Sequence, residues 1–261
     1  MNKYSIPLIP NGVSWWIVNV SDRSIITFIM GSGANGLYAI SNKFPTILSS
    51  LTGIFNLSWS ESTALHIDSP DRDSFFSDIA NTVIKLFTAL GVGMIACLPF
   101  VFPLMINTKY RDAYLYIPPL IIGTMFNVSL CLYNQIYLAK KLSKQVATTT
   151  IIGAIVNIII NVLLIRHIGL YAAAVSTAIS YAVMALYRHF DLKKYISIKY
   201  ESGLFIKTFI MFTLAIVSYY YNHIISNIIT LIIVCLYAFL LNRSFIFDSL
   251  NTIKNKIKHN K

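Results

Sequence analysis

Residues 14–36 read SWWIVNVSDRSIITFIMGSGANG, a long apolar run that carries the adjacent charges Asp22 and Arg23 near its middle. In the whole chain of 261 residues, 56% are hydrophobic and only 12% are charged, whereas charged residues make up about 25% of an ordinary soluble domain. An apolar run of about 20 residues is long enough to cross the hydrocarbon core of a bilayer as a helix. The segment therefore predicts a membrane-spanning helix with a pair of charges inside it.

Similar apolar runs recur along the chain, separated by short polar or glycine- and proline-containing breaks. Lipid satisfies no backbone hydrogen-bonding group, and the runs lack the alternation of barrel strands, so only helices fit. The sequence predicts an all-α fold, a polytopic membrane helix bundle with about eight transmembrane helices. We place these spans at residues 6–30, 36–61, 77–102, 113–139, 145–165, 168–188, 203–221 and 223–242. The bundle is expected to occupy residues 1–242, and residues 243–261 form a basic tail beside anionic membrane lipids.

Lysine and arginine are distributed unevenly between the two sides of these spans. One side holds only Lys109, Arg111 and Arg166. The other side holds fifteen, which are Lys3, Arg72, Lys140, Lys141, Lys144, Arg188, Lys193, Lys194, Lys199, Lys207, Arg243, Lys254, Lys256, Lys258 and Lys261. Because the positively charged loops of membrane proteins face the cytoplasm, we predict that both termini are cytoplasmic. The formal net charge of +11 follows from this topology and does not indicate nucleic-acid binding.

Several short motifs match known patterns of chemistry but stand in the wrong context. GSGANG at residues 31–36 has the spacing of a dinucleotide-binding loop, yet it joins two predicted spans and is better explained as a tight glycine turn. DSPDRD at residues 68–73 offers three carboxylates, and a solvated loop accounts for them. The five histidines are scattered, and the three cysteines fall singly in separate spans. The sequence therefore predicts no enzyme, no cofactor and no metal site.

Polar residues inside the first two spans are the candidate functional residues. Asn19 and Arg23 are four residues apart and share one face of the first helix, with Asp22 at the edge of that face. In the second span, a polar stripe begins near Lys43 and includes Asn56. A charged side chain at membrane depth tends to face a partner or a wet cavity. Two interpretations stay open: Asp22 and Arg23 neutralise each other or neighbouring helices, or they line a cavity that handles a charged substrate.

Small and amide-bearing residues form further stripes in the fourth, fifth and sixth spans. Such stripes are typical of helix-packing surfaces in membranes, where close approach and interhelical hydrogen bonds hold a bundle together. The stripes consist of Asn127, Cys131, Asn134 and Gln135, of Gly153, Asn157 and Asn161, and of Ala173, Ser176, Thr177 and Ser180. Packing is the favoured interpretation for these three spans.

Four stretches of the chain together resemble the C-terminal part of a polysaccharide flippase of the O-antigen type. They are IPLIPNGVSWWIVNVSDRSIITFIMG at residues 6–31, GLYAISNKFPTILSSLTGIFNLSWS at 36–60, KYRDAYLYIPPLIIG at 109–123 and TTTIIGAIVNIIINVLLIRHIGLYAAAVSTAISY at 148–181. No single stretch is diagnostic, and their order carries the resemblance. The family lies within the MATE-like multidrug/oligosaccharide-lipid/polysaccharide exporter superfamily.

The resemblance implies transport without chemistry. Family members move an undecaprenyl-diphosphate-linked oligosaccharide across the bacterial inner membrane for the assembly of O-antigen or capsule polysaccharide. Cationic residues of a central cavity are thought to meet the diphosphate, and Arg23 matches that role first, followed by Lys43. With Asp22, Asn19 and Asn56, these residues form the expected substrate-binding set.

The resemblance also implies that the chain corresponds to the second of two bundles. A transporter of two halves forms its site at their interface, so a separate N-terminal half or a second copy of the chain is an expected partner. Two other classes stay open. A MATE-type drug/cation antiporter would need acidic ion sites inside the bundle, and a membrane enzyme of glycan assembly such as a polymerase would need a large external loop.

Overall fold

The computed structural model describes residues 8–247, apart from the side chains of residues 8–11 and 14–19. The described residues form helices joined by short breaks and include no strand, so the all-α prediction is confirmed. The helices are α1 (Leu8–Met30), α2 (Ser32–Ser41), α3 (Lys43–His66), α4 (Arg72–Met105), α5 (Ile117–Ala139), α6 (Ser143–Ile168), α7 (Tyr171–Leu192), α8 (Leu204–Tyr221) and α9 (Ile224–Leu241), with a 3-10 helix, Thr108–Tyr116, before α5. Most of the predicted basic tail, residues 248–261, lies outside the described residues.

Five helical segments within residues 8–247 are long and apolar enough to cross a membrane. They are Arg72–Met105, Thr108–Ala139, Ser143–Ile168, Leu204–Tyr221 and Ile224–Leu241, and each covers one of the eight predicted spans. At the other three predicted positions the structure also has long helices, α1, α3 and α7, which carry more polar and small side chains. The chain is therefore a multi-pass helical membrane protein.

The second predicted span, residues 36–61, is two helices in the structure. Helix α2 ends at Ser41 and α3 begins at Lys43, while Asn42 keeps a helical conformation with φ −72° and ψ −14°. Pro45 has no N–H to donate to the Ser41 carbonyl one turn earlier, which bends a helix at this point. The apolar pattern alone predicts one continuous span, because hydropathy does not depend on whether each residue has a backbone N–H.

The predicted glycine turn at residues 31–36 is smaller than expected. Only Gly31 leaves the helical conformation, with φ +88°, and residues 32–36 already belong to α2. Helix α4 is longer than the predicted span 77–102, since it begins at Arg72 inside the predicted acidic loop and runs for 34 residues to Met105.

The helices divide into two compact units. Within the described residues, the first unit comprises residues 8–77 and 102–199, which include α1 to α3 and α5 to α7. The second unit comprises residues 78–101 and 200–247, which include the middle of α4 and helices α8 and α9.

Small residues let the helices of the first unit approach closely. A Cβ atom on Gly123 of α5 would lie 3.4 Å from the Cα atom of Ala178 on α7, and one on Gly153 of α6 would overlap the side chain of Met184 on α7. The buried alanines 172–174 at the start of α7 extend this contact toward α1 and α5. Close approach of this kind replaces the hydrophobic effect as the stabilising contact between helices in lipid.

Hydrogen bonds and an ion pair stabilise the packing of the second unit. Asn81 Oδ1 accepts a hydrogen bond from the backbone N–H of Glu201 at 2.9 Å, and Glu201 forms an ion pair with Lys85. Between α8 and α9, the hydroxyl of Ser218 donates to Asn227 Oδ1 at 3.1 Å. The outer faces of both helices carry exposed aliphatic and aromatic side chains, as lipid-facing helices require.

Candidate functional site

A cavity of about 630 Å³ opens within the first unit, between α1, the α2–α3 bend, α5 and α7. Its lining combines amides, hydroxyls, one acid and one base with aliphatic side chains. The lining residues are Val20, Asp22, Arg23, Tyr38, Asn42, Pro45, Thr46, Ser49, Asn56, Leu120, Thr124, Asn127, Leu130, Cys131, Asn134, Thr177 and Tyr181. The volume is within the range of small-molecule sites in proteins.

Asp22 is a buried carboxylate, 4% exposed, at the meeting point of four helices. Its Oδ2 atom accepts hydrogen bonds from the hydroxyls of Tyr38 at 3.1 Å and Thr177 at 2.6 Å. Its Oδ1 atom accepts from the Nδ2 amide of Asn161 at 2.8 Å. The donors come from α2, α7 and α6, so a single carboxylate of α1 connects three other helices through charge-assisted bonds.

A second layer of hydrogen bonds orients this network. Asn157, which is fully buried, donates through Nδ2 to the Thr177 hydroxyl at 3.2 Å and to the Ser176 hydroxyl at 3.4 Å. Its Oδ1 atom accepts from the Ser21 hydroxyl at 3.1 Å. Thr177 therefore accepts from Asn157 while it donates to Asp22, which fixes the direction of its O–H bond.

Arg23 is the next residue of the chain, and it has a different environment. Its side chain is exposed and lines the cavity. It also lines a second, more open cavity of about 420 Å³ together with Ser24, Thr27, Phe28 and Asn35. Asp22 and Arg23 form no ion pair in the described part of the chain, because the carboxylate bonds to neutral donors of other helices.

The side-chain amides on the α3 and α5 sides of the cavity differ in whether they have hydrogen-bond partners. Gln135 Nε2 donates to Asn56 Oδ1 at 3.0 Å, which links α5 to α3. The Oδ1 atoms of Asn127 and Asn134 are buried and accept no hydrogen bond from the described residues. Both residues belong to the cavity lining, so the α5 side of the cavity is polar.

The structure brings together three of the five predicted site residues. Asp22, Arg23 and Asn56 line the same cavity. Lys43 is exposed at the start of α3 and is not one of the described lining residues. The side chain of Asn19 lies outside the described residues. The role of each in substrate binding stays a prediction.

Sequence reasoning missed the residues that surround Asp22. Packing is the sequence-based interpretation of Asn157, Asn161 and Thr177, and they do join helices, but their hydrogen bonds converge on a carboxylate. Nothing in the sequence singles out Tyr38, because one tyrosine in an apolar run is common. The signal in the sequence was an acidic residue inside an apolar span, because a buried carboxylate needs hydrogen-bond donors. Amide residues one turn apart in another span, such as Asn157 and Asn161, were candidates for that role.

Comparison with solved structures places this fold among membrane transporters. The chain superimposes on "Lipid II flippase MurJ, inward closed conformation" with a TM-score of 0.69 and 18% identity, over 90% of this chain and 53% of that chain. It also matches the outward-facing conformation of a multidrug resistance MATE family transporter of the MOP superfamily, and a MOP superfamily transporter from Pyrococcus furiosus. Each of these matches has a TM-score of 0.59 and 18% identity, over 82% of this chain and 51% of that chain.

Sequence comparison gives a shorter match. The chain is 40% identical over 55 residues to the Haloferax volcanii protein described as "Probable low-salt glycan biosynthesis flippase Agl15", which covers 21% of this chain and 12% of that protein. No protein-family model matches. The chain spans about half the length of the solved transporters it resembles. Its fold is similar to that of these transporters, so the predicted resemblance to the MATE-like superfamily is confirmed at the level of the fold.

Proposed function

We propose that the chain supplies one half of a transporter that flips a lipid-linked oligosaccharide across the bacterial inner membrane, for the assembly of O-antigen or capsule polysaccharide. In this proposal the oligosaccharide is linked to undecaprenyl diphosphate, and the cavity binds the diphosphate and the sugars next to it. A transporter of two halves forms its site between them. In this proposal the other half is a separate N-terminal half or a second copy of this chain.

One observation carries this proposal: the exposed charged group of the described cavity lining is the guanidinium of Arg23. Asp22 and Arg23 are the charged members of the described lining. The carboxylate is buried under three hydrogen bonds from neutral donors, whereas the guanidinium is exposed. Guanidinium groups bind phosphate oxygens through two parallel hydrogen bonds, and the surrounding amides and hydroxyls match the groups of a sugar. An anionic, sugar-bearing headgroup therefore suits this lining better than an organic cation.

The orientation follows from the charge distribution, with both termini in the cytoplasm. Lys140, Lys141 and Lys144 lie in and after the α5–α6 turn, and Lys193 lies at the end of α7. Arg166 lies in the last turn of α6, at its opposite end. This arrangement supports a cytoplasmic location for the α5–α6 turn.

A drug/cation antiporter is the second candidate, and the environment of Asp22 favours it. A buried carboxylate without a basic partner among the described residues is a possible cation or proton acceptor. In this alternative, Asp22 rather than Arg23 would bind the transported cation.

Ligand binding to the purified full-length chain separates the two functions. Native mass spectrometry would compare an undecaprenyl-diphosphate oligosaccharide, undecaprenyl phosphate without sugar, and a cationic drug. We expect the oligosaccharide lipid to bind most tightly and Arg23→Ala to weaken it, while Arg111→Ala, at an exposed residue that is not one of the described lining residues, serves as the control. Preferential binding of the cationic drug, lost in Asp22→Asn, would establish the antiporter instead.

A further inference from the structure

Lysines at or next to the ends of three helices lie at one end of the first unit, where α5 ends, α6 begins and α7 ends. They are Lys140, Lys141, Lys144, Lys193 and Lys194. We call this group the lysine surface. It is separate from the cavity, whose lining contains none of these residues.

Two buried contacts hold the three helix ends together. The hydroxyl of Tyr137, near the end of α5, donates to Asp191 Oδ2 of α7 at 2.8 Å. Arg188, one turn earlier in α7, donates through Nε to the Thr149 hydroxyl of α6 at 3.0 Å and through Nη2 to the Thr150 hydroxyl at 3.0 Å. The positions of the lysine surface are therefore set by packed helices rather than by a loose loop.

Acidic residues neutralise only part of this surface. Lys140 pairs with Asp68 at 3.5 Å between Nζ and Oδ1. Lys194 pairs with Asp191 at 2.7 Å between the same atoms. The remaining three lysines are exposed and have no ion pair with any described residue; they are Lys141, Lys144 and Lys193.

The buried guanidinium of Arg188 adds to the positive potential. Arg188 is fully buried, and no described carboxylate pairs with it. Its Nη2 atom lies 3.4 Å from the carbonyl oxygen of Val146, two residues after Lys144. The surface thus has an uncompensated cation directly behind it, in a low-dielectric environment that screens it weakly.

Aromatic side chains border the lysine surface as they do at membrane–water interfaces. The Nζ atom of Lys193 lies over the ring of Phe190, 5.0 Å from its centroid. Phe190 is 62% exposed and Tyr187, one turn earlier, is 54% exposed. Exposed aromatic rings next to lysines are the usual composition at the level of lipid headgroups.

Lys141 has a left-handed backbone conformation in the turn between α5 and α6. Its φ is +61°, in the left-handed region where glycine is favoured and a side chain with a Cβ is strained. Glycine would make this turn without strain, since helices commonly end on a left-handed glycine. Lysine is therefore less stable than glycine at this position, and its side chain places an exposed cation in the turn.

We propose that the lysine surface binds the phosphate headgroups of anionic phospholipids. Lysine ammonium groups are point charges on flexible stems, which suits laterally mobile phosphates better than one fixed ligand. Each basic residue near an anionic membrane surface contributes to binding, and the attraction decays within a Debye length. The bound lipid would anchor the ends of α5, α6 and α7, whatever the transported substrate is.

The test compares two variants of the full-length chain with equal net charge. One carries Lys141→Gln, Lys144→Gln and Lys193→Gln, and the control carries Lys109→Gln, Arg111→Gln and Arg166→Gln on the other predicted side. Native mass spectrometry in detergent would measure binding of phosphatidylglycerol and phosphatidylcholine. Phosphatidylglycerol affinity should fall on the order of 100-fold in the first variant and change little in the control. Equal losses in the two variants would overturn the proposal.

Two further measurements separate a lipid site from a purely structural turn and from a site for a soluble anion. Lys141→Gly should raise the thermal stability of the chain in detergent, because it relieves the left-handed strain, and it should still weaken phosphatidylglycerol binding. Unchanged lipid binding would show that Lys141 is not part of the site.

Inorganic phosphate at millimolar concentration should not displace the lipid beyond the effect of a chloride control at equal ionic strength. Specific displacement by phosphate would show a site for a soluble anion and overturn the lipid assignment.

Discussion

Replacement of Arg23 by alanine is the most direct perturbation of the proposed transport site. The side chain is exposed in the cavity, so its interaction with a diphosphate is partly screened. Two unit charges about 4 Å apart interact by about 4 kcal/mol at an effective dielectric constant near 20, whereas a fully exposed pair contributes at most about 1 kcal/mol. A loss of about 2 kcal/mol lies between these limits and corresponds to roughly a 30-fold loss of substrate affinity.

The assay is export of surface polysaccharide in a flippase-null strain that also produces the other half of the transporter, with membrane abundance measured in parallel. We expect Arg23→Ala to reduce export roughly 30-fold at limiting substrate. Arg23→Lys should retain part of the activity, because the charge survives without the planar pair of donors. Abundance should be unchanged, since Arg23 forms no ion pair with a described residue that the mutation would leave unmatched.

The double variant Asp22→Asn/Arg23→Ala tests whether Arg23 binds substrate or only stabilises the helix bundle by neutralising Asp22. If the two charges stabilised each other, Arg23→Ala would lower the abundance of the protein and the added Asp22→Asn would restore both abundance and export. The structure predicts no rescue, because the partners of Asp22 are Tyr38, Asn161 and Thr177. Normal export from the double variant would refute a role for Arg23 in substrate binding.

Further perturbations test the fold around the site. Asp22→Ala leaves the buried donors of Tyr38 and Asn161 and the half-buried hydroxyl of Thr177 without this acceptor, and it should lower the free energy of unfolding in detergent by about 2 kcal/mol or more. Asp22→Asn should be less affected, and equal stability of Asp22→Ala and wild type would contradict the network. Gly153→Leu adds a branched side chain at a buried position where a Cβ atom alone would already displace the Met184 side chain, and it should destabilise by about 1–3 kcal/mol, whereas Gly53→Leu, at an exposed position with no atom within 4 Å of a Cβ, should not. Topology reporters fused after residue 261 and inserted at Gly31 should report opposite sides of the membrane, and the same side for both would disprove the count of eight spans.

The positions of most helices were predictable because they depend on local properties. The length of an apolar run and the polarity of its ends determine whether a segment crosses lipid, and the predicted spans at 203–221 and 223–242 differ from α8 and α9 by one residue at most. The prediction was less accurate where a local feature interrupts a helix. Pro45 divides the second span, and α4 continues into an acidic segment whose charges suggested a loop.

The candidate site was only partly predictable. Arg23 and Asn56 stand out as polar residues in apolar spans, and both line the cavity. Lys43 stands out by the same reasoning, but it is exposed at the start of α3 outside the described lining. A position in the sequence gives the face of a helix on which a residue lies, but the tertiary structure determines which part of that face lines the cavity.

The sequence by itself determined that this protein is a helical membrane bundle with a charged pair in its first span, because composition and run length are properties of the chain alone. Only the tertiary structure decided how the two charges are used. The donors to Asp22 come from residues 16, 139 and 155 positions away, so no local pattern in α1 reports them. Burial among these donors makes Asp22 a connector of four helices. Arg23 is displaced from it by about 100° around the helix and is left facing the cavity.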